Sequence, residues 1–120
     1  MDVLIERDAS GRLICELVDE MSSATVTAAN VPGAADGLRA AIAAARAGGL
    51  GECLWLEPAG EYRWMFRRDG DRLTVAVMWS AGTLTGWQHV FRSECGFAWF
   101  AGRVRAELER LGLPSVTTER

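Results

Sequence analysis

The chain has no lysine: all 13 of its basic residues are arginine. That absence removes Schiff-base chemistry, a lysine general base and the phosphate-gripping lysine of a P-loop, because arginine stays protonated and is neither base nor amine nucleophile. Histidine occurs once, at His89, and the three cysteines, Cys15, Cys53 and Cys95, lie far apart in the chain. With no second Cys or His at close spacing, no zinc-site pattern forms, and three free thiols are the expectation. No apolar run approaches the roughly 20 residues that cross a bilayer. The acidic start Met1-Asp2 lacks the basic region of a secretion signal. A soluble cytoplasmic protein is expected, with no cofactor, no metal and no membrane partner.

What is present describes one folded domain. The 120 residues are 49% hydrophobic and 24% charged, and a chain of this length buries a real core. The net charge of −3 is uneven, since residues 1–60 hold nine acids and four arginines while residues 61–120 hold seven acids and nine arginines. The halves stand at −5 and +2, so two differently charged sides are conceivable. The acidic total argues against non-specific binding to nucleic acid or an anionic membrane.

Val3-Leu4-Ile5 and Leu13 to Val18 read as strands joined by the turn-forming Asp8-Ala9-Ser10-Gly11, with a short further strand at Ala24 to Thr27. Asn30-Val31-Pro32-Gly33 breaks the pattern ahead of an Ala-rich helix over about 34–47, ended by Gly48-Gly49. Ala34, Leu38, Ala41, Ile42 and Ala45 share one narrow face of that helix, suited to lying close on a sheet. Glu52 to Glu57 is a strand bounded by Pro58-Ala59-Gly60. Residues 61–68 then alternate, with Tyr62, Trp64 and Phe66 on one face and Glu61, Arg63 and Arg67 on the other. Asp69-Gly70 is the strongest hairpin signal, and Leu73, Val75, Val77 and Trp79 suit the partner strand. A Gly/Ser/Thr loop at 80–86 leads to a last strand with Trp87, His89 and Phe91 on the core face. Ser93 or Cys95 is expected to open a terminal helix over about 96–111, stopped by Gly112 and Pro114, with a flexible tail from about 114. The predicted fold is α+β: a mostly antiparallel sheet of about five to six strands with two helices on one face, in ββ-α-ββββ-α order.

Candidate chemistry is sparse. His89 and Cys95 make a conceivable thiol-hydrolase pair if Cys95 sits at a helix N-terminus, where the dipole favours a thiolate. No nucleophile signature surrounds Cys95, and Glu94 beside it opposes a thiolate. Glu52, Glu57 and Glu61 gather round one turn without any recognised acid–base or metal pattern. Arg63 to Arg68 with Arg72 mixes arginine with aromatics, as single-strand binders do. Alternation separates the two kinds onto opposite faces, so cross-strand ion pairs are the simpler account. Trp55, Trp64, Trp79 and Trp87 could line a small-ligand cavity under the terminal helix. In that helix Phe97, Phe100, Ala101, Val104, Leu108 and Leu111 form the buried stripe, while Trp99 points away beside Arg103, Ala106 and Arg110. An exposed Trp flanked by Arg is the composition of a binding hot spot.

Gly51-Glu52-Cys53-Leu54-Trp55, the run Gly60-Glu61-Tyr62-Arg63-Trp64-Met65-Phe66-Arg67-Arg68-Asp69-Gly70-Asp71-Arg72-Leu73 and the aromatic-rich C-terminal helix together span about half the chain. In these stretches the chain resembles small uncharacterised bacterial α+β proteins and the immunity proteins of polymorphic toxin systems. The resemblance implies a non-catalytic protein that binds one cognate toxin and blocks its active site or folding, with no catalytic residues to carry over. On that expectation an acidic edge of Asp19, Glu20, Glu52, Glu57 and Glu61 faces a basic partner, and Trp99 with Arg103 is the rival surface. An open sheet edge makes a homodimer conceivable as well.

Overall fold

The computed structural model describes residues 1–82 and 86–113. The elements run β1 (Asp2–Arg7), β2 (Leu13–Val18), β3 (Ser23–Ala28), α1 (Val31–Gly48), β4 (Leu50–Glu57), β5 (Gly60–Asp69), β6 (Arg72–Ser80), β7 (Gln88–Gly96) and α2 (Phe97–Arg110). The α+β class and the antiparallel pairing are as the sequence predicts. The single sheet of five to six strands in ββ-α-ββββ-α order is not: there are seven strands among the described residues, three of them ahead of α1. The strands divide into a three-stranded sheet, β1-β2-β3, and a four-stranded one, β4-β5-β6-β7.

The reason lies in α1. Asn30 caps this helix by accepting from the Gly33 amide through its side chain, and Pro32 sits in the first turn. Both are helix-start residues, so the helix begins earlier than the expected break at 30–33. Its small-residue stripe then settles directly on β4. A Cβ built on Gly51 would stand 2.0 Å from the Ala41 carbonyl oxygen, and the Trp55 indole N–H donates to Ala34 O at 3.2 Å. With α1 seated there, β3 and β4 meet only near their ends, where the Ala29 amide donates to Leu56 O.

One core serves both sheets and both helices. Ile5, Leu13, Cys15 and Leu17 from the first sheet join Trp55, Trp64, Phe66, Val75, Val77 and Phe91 from the second, with Leu38 of α1 and Phe100 and Leu108 of α2. The predicted inner face of α1 lies in this core, as do Trp64 and Phe66 of β5 and Leu73, Val75 and Val77 of β6, whereas Tyr62 is partly buried and Trp79 packs on it outside the core. Aromatic contacts run from Trp55 to Trp64, Phe66 and Phe100. The hairpin signalled at Asp69-Gly70 forms one residue later than expected: Asp69 pairs Arg72, and Gly70 and Asp71 are the two loop residues, Gly70 at φ 63°.

Three C-terminal expectations change. The strand β7 continues through Cys95, because Leu73 pairs Cys95 and Arg72 pairs Gly96, so α2 opens at Phe97. Gly96 offers α2 no side-chain cap; Asp71, from the β5–β6 turn, accepts from the Phe97 amide through its carbonyl and from the Ala98 amide through its carboxylate. The register of β6 and β7 also slips between Val77 and Met78, which places His89 opposite Met78 rather than in line with Phe91. The bulge reverses the alternation and turns His89 out to solvent. The expected tail from about 114 lies outside the described residues.

The outer edge of β1 is closed by side chains of α2. Glu107 Oε1 accepts from the Ile5 amide at 2.9 Å, Arg103 Nε donates to Val3 O at 2.9 Å, and Arg110 Nη2 donates to Ile5 O at 2.7 Å. These contacts occupy backbone groups that would otherwise template another strand, so β1 is not an open edge for dimerisation.

Candidate functional site: the open face of the second sheet

Of the two faces of β4-β5-β6-β7, one is the core and the other carries no helix or strand among the described residues. Pairing arranges the outward side chains in rows across the strands. One row is Leu50, Arg67, Thr74 and Glu94, the next Glu52, Met65, Ala76 and Arg92, and the third Leu54, Arg63, Met78 and His89. Leu56 stands opposite Glu61 at the end of β4. Trp87 lies over Arg63, its ring 5.6 Å from the guanidinium carbon.

Three leucines on this face are solvent-exposed: Leu50 at 68%, Leu54 at 48% and Leu56 at 55%, with Trp87 at 39%. A single exposed leucine is ordinary, but an aligned apolar strip on an uncovered sheet marks a contact surface. The charges around it are largely matched. Arg63 bridges Glu52 at 2.8 Å, and Glu94 takes Arg72 at 2.6 Å and Arg92 at 3.8 Å. Cross-strand pairing therefore answers the Arg/aromatic mixture, since Trp64 and Phe66 are buried on the opposite face and offer no base-stacking surface beside these arginines.

The acidic edge expected from sequence is divided. Asp19 organises the β2–β3 turn, accepting from the amides of Met21 and Ser22. The side chain of Ser93, and then those two amides, hold its carboxyl below the usual aspartate range. Asp19 and the exposed Glu20 belong to the β2–β3 turn of the three-stranded sheet, whereas Glu52, Glu57 and Glu61 belong to β4 and β5 of the four-stranded one. Glu57 is nearly enclosed, accepting from the Thr27 hydroxyl and pairing with Arg12 at 3.4 Å, which gives it a structural task joining the two sheets. Only Glu52 and Glu61 lie on the open face.

Trp99 is 43% exposed, as its helical position requires. Arg103 beside it is committed to β1, pairing with Asp2 at 3.4 Å in addition to its bond to Val3 O. The four tryptophans do not line one cavity: Trp55 and Trp64 are core, Trp79 packs on Tyr62 with centroids 4.6 Å apart, and Trp87 is outside.

The thiol pair is not assembled. Six positions of β7 separate His89 from Cys95, about 20 Å at the rise of a strand. Partial burial pushes the Cys95 thiol up to about 11, and burial pushes Cys53 up to about 12. Cys15, fully buried, is raised further still. Each is the opposite of an activated nucleophile.

Family models, curated proteins and solved structures were all compared with the chain. None matches. The functional reading therefore rests on the surface itself. Trp87, expected on the core face, is exposed instead. Leu50, Leu54 and Leu56 were missed from sequence because β4 is apolar on both faces: Cys53 and Trp55 point in while the leucines point out. Such a run reads as a fully covered strand, and that is the signal, since a strand built for cover but left open lacks its partner.

Proposed function

We propose that this chain is a non-catalytic protein-binding module whose contact surface is the open face of β4-β5-β6-β7. The observation that carries the reading is the strip of Leu50, Leu54 and Leu56 at 48 to 68% exposure, with Trp87 beside it. The strip runs along the edge strand β4 with the Glu52–Arg63 pair set into it, and Trp and Arg are side chains that anchor protein interfaces. Glu61, opposite Leu56 at one end of the strip, favours a partner with a basic residue beside its own apolar patch.

In its most specific form, the partner is a bacterial toxin domain that the module neutralises. The sequence resemblance to immunity proteins supports this form, as does a compact scaffold with matched internal charges and thiols that are not activated. The test is co-expression of the chain with the products of neighbouring genes. The proposal expects stoichiometric capture of one such product, rescue of cells from its toxicity, and loss of both on Leu54→Asp with Trp87→Ser. Rescue that survives those substitutions would contradict the assigned surface, and the absence of any captured product would contradict the module.

A further inference from the structure

A second concave surface lies on the far side of the molecule, between α1 and α2. Its volume is about 360 Å³. One wall is the α1 stripe Arg39, Ile42 and Arg46, the other the α2 stripe Ala101, Arg105 and Glu109, successive members three or four residues apart so that the side chains share a helix face. The floor is small and apolar, and the rim holds three arginines against one glutamate.

Among the described residues, two of these three arginines are without an ion pair, as are Arg7, Arg67 and Arg68, but only in the groove do such arginines converge on one concave surface. Elsewhere Arg12, Arg63, Arg72, Arg92, Arg103 and Arg110 each have a carboxylate within 4 Å. Among the described residues, Arg46 and Arg105 have none. Arg39 reaches only the exposed Asp36, at 3.6 Å, and its Nη2 has no acceptor at all. Arg68 adds positive charge at one end, where it and Arg46 both lie over the Phe97 ring, at 4.5 and 5.3 Å. In a protein of net charge −3, the groove is a local cationic site in which Arg46 and Arg105 lack carboxylate partners and Arg39 keeps one donor free.

We infer that this groove docks an acidic segment of a protein partner, a site separate from the sheet face. Carboxylates supply the bidentate acceptors that guanidinium groups lack here. The α2 wall from Ala98 to Glu109 runs about 16 Å, and the floor lacks the convergent polar groups that orient a small molecule. A peptide of a few turns, apolar on one side and acidic on its flanks, fits that shape. No aromatic face is free in the groove to stack a base, since Phe97 is buried beneath the two arginines.

The experiment is a titration of the isotopically labelled full chain, followed by amide chemical shifts, with a short peptide of Glu, Ala and Leu. Saturable shifts confined to 39–46 and 98–109 are expected, with affinity falling about tenfold in Arg39→Gln/Arg105→Gln and unchanged in Leu54→Asp. Equal binding of the peptide with Lys in place of Glu, the same shifts from an oligonucleotide of equal charge, or shifts confined to β4–β7 would each overturn the groove assignment. The peptide and oligonucleotide comparisons use the unaltered chain, so they decide the matter even if the double variant is unstable. Binding in the groove that persists in Leu54→Asp leaves the sheet-face proposal to stand or fall on its own partner test.

Discussion

Individual residues show where packing leaves no freedom. Gly51 is one, because any side chain there would drive into the Ala41 carbonyl. Gly51→Ala should cost about 1 to 3 kcal/mol in a urea titration, as overpacking does when backbone must move; an unchanged midpoint would show that α1 does not rest on β4 as described. The cysteines are a second case. Their raised thiol values predict that a thiol reagent at neutral pH labels Cys53 and Cys95 slowly and leaves Cys15 untouched until denaturant is added. Fast labelling of Cys95 would restore a reactive-thiol reading. At this scale the sequence was informative about type and poor about direction. Trp64 and Phe66 face inward as alternation requires, whereas the single extra residue in β7 reverses His89, and nothing local announces a bulge that depends on its partner strand.

Among the elements, α2 does the most that was illegible. Its apolar stripe could be read from spacing, since Phe97, Phe100, Val104 and Leu108 are all buried. Its polar face could not, because Glu107, Arg103 and Arg110 act on backbone groups of β1, about 100 residues away in the chain. Burial works to raise the Glu107 carboxyl, but Arg110, the Ile5 amide and Arg103 outweigh it and the net shift is downward. A lowered folded value means that Glu107 contributes its stability above the ordinary 4.5 and loses it as pH falls through the lower folded value. Glu107→Ala should therefore destabilise the protein by about 2 kcal/mol at neutral pH, the cost of stranding a buried donor. The gap to the parent should narrow as the medium is acidified. A gap that stays constant with pH would show that the side chain acts by packing alone.

The whole molecule mixes what the chain separates. The −5 and +2 halves of the sequence do not become two charged sides, since Asp2 meets Arg103, Glu6 meets Arg110 and Glu52 meets Arg63. Much of the charge is spent inside the fold, and what remains for a partner is an apolar sheet face on one side and a cationic groove on the other. No helix among the described residues is long and apolar enough to cross a membrane, and no group of three or more His, Cys, Asp or Glu among them is placed to hold a metal ion. The class α+β was legible because strand and helix periods are local. The division into two sheets was not, because it follows from how closely a small-residue helix approaches one strand. The same limit hid the open face: outward leucines on β4 are indistinguishable from core until the fold shows that nothing described covers them.

The most direct measurement is calorimetric titration of the captured partner into the parent chain and into Leu54→Asp/Trp87→Ser, with thermal melts of both. The account predicts unchanged melting and a loss of at least about 2 kcal/mol of binding free energy in the variant, as expected when interface anchors are removed. Equal affinity in two equally stable proteins would contradict it and place the binding surface elsewhere.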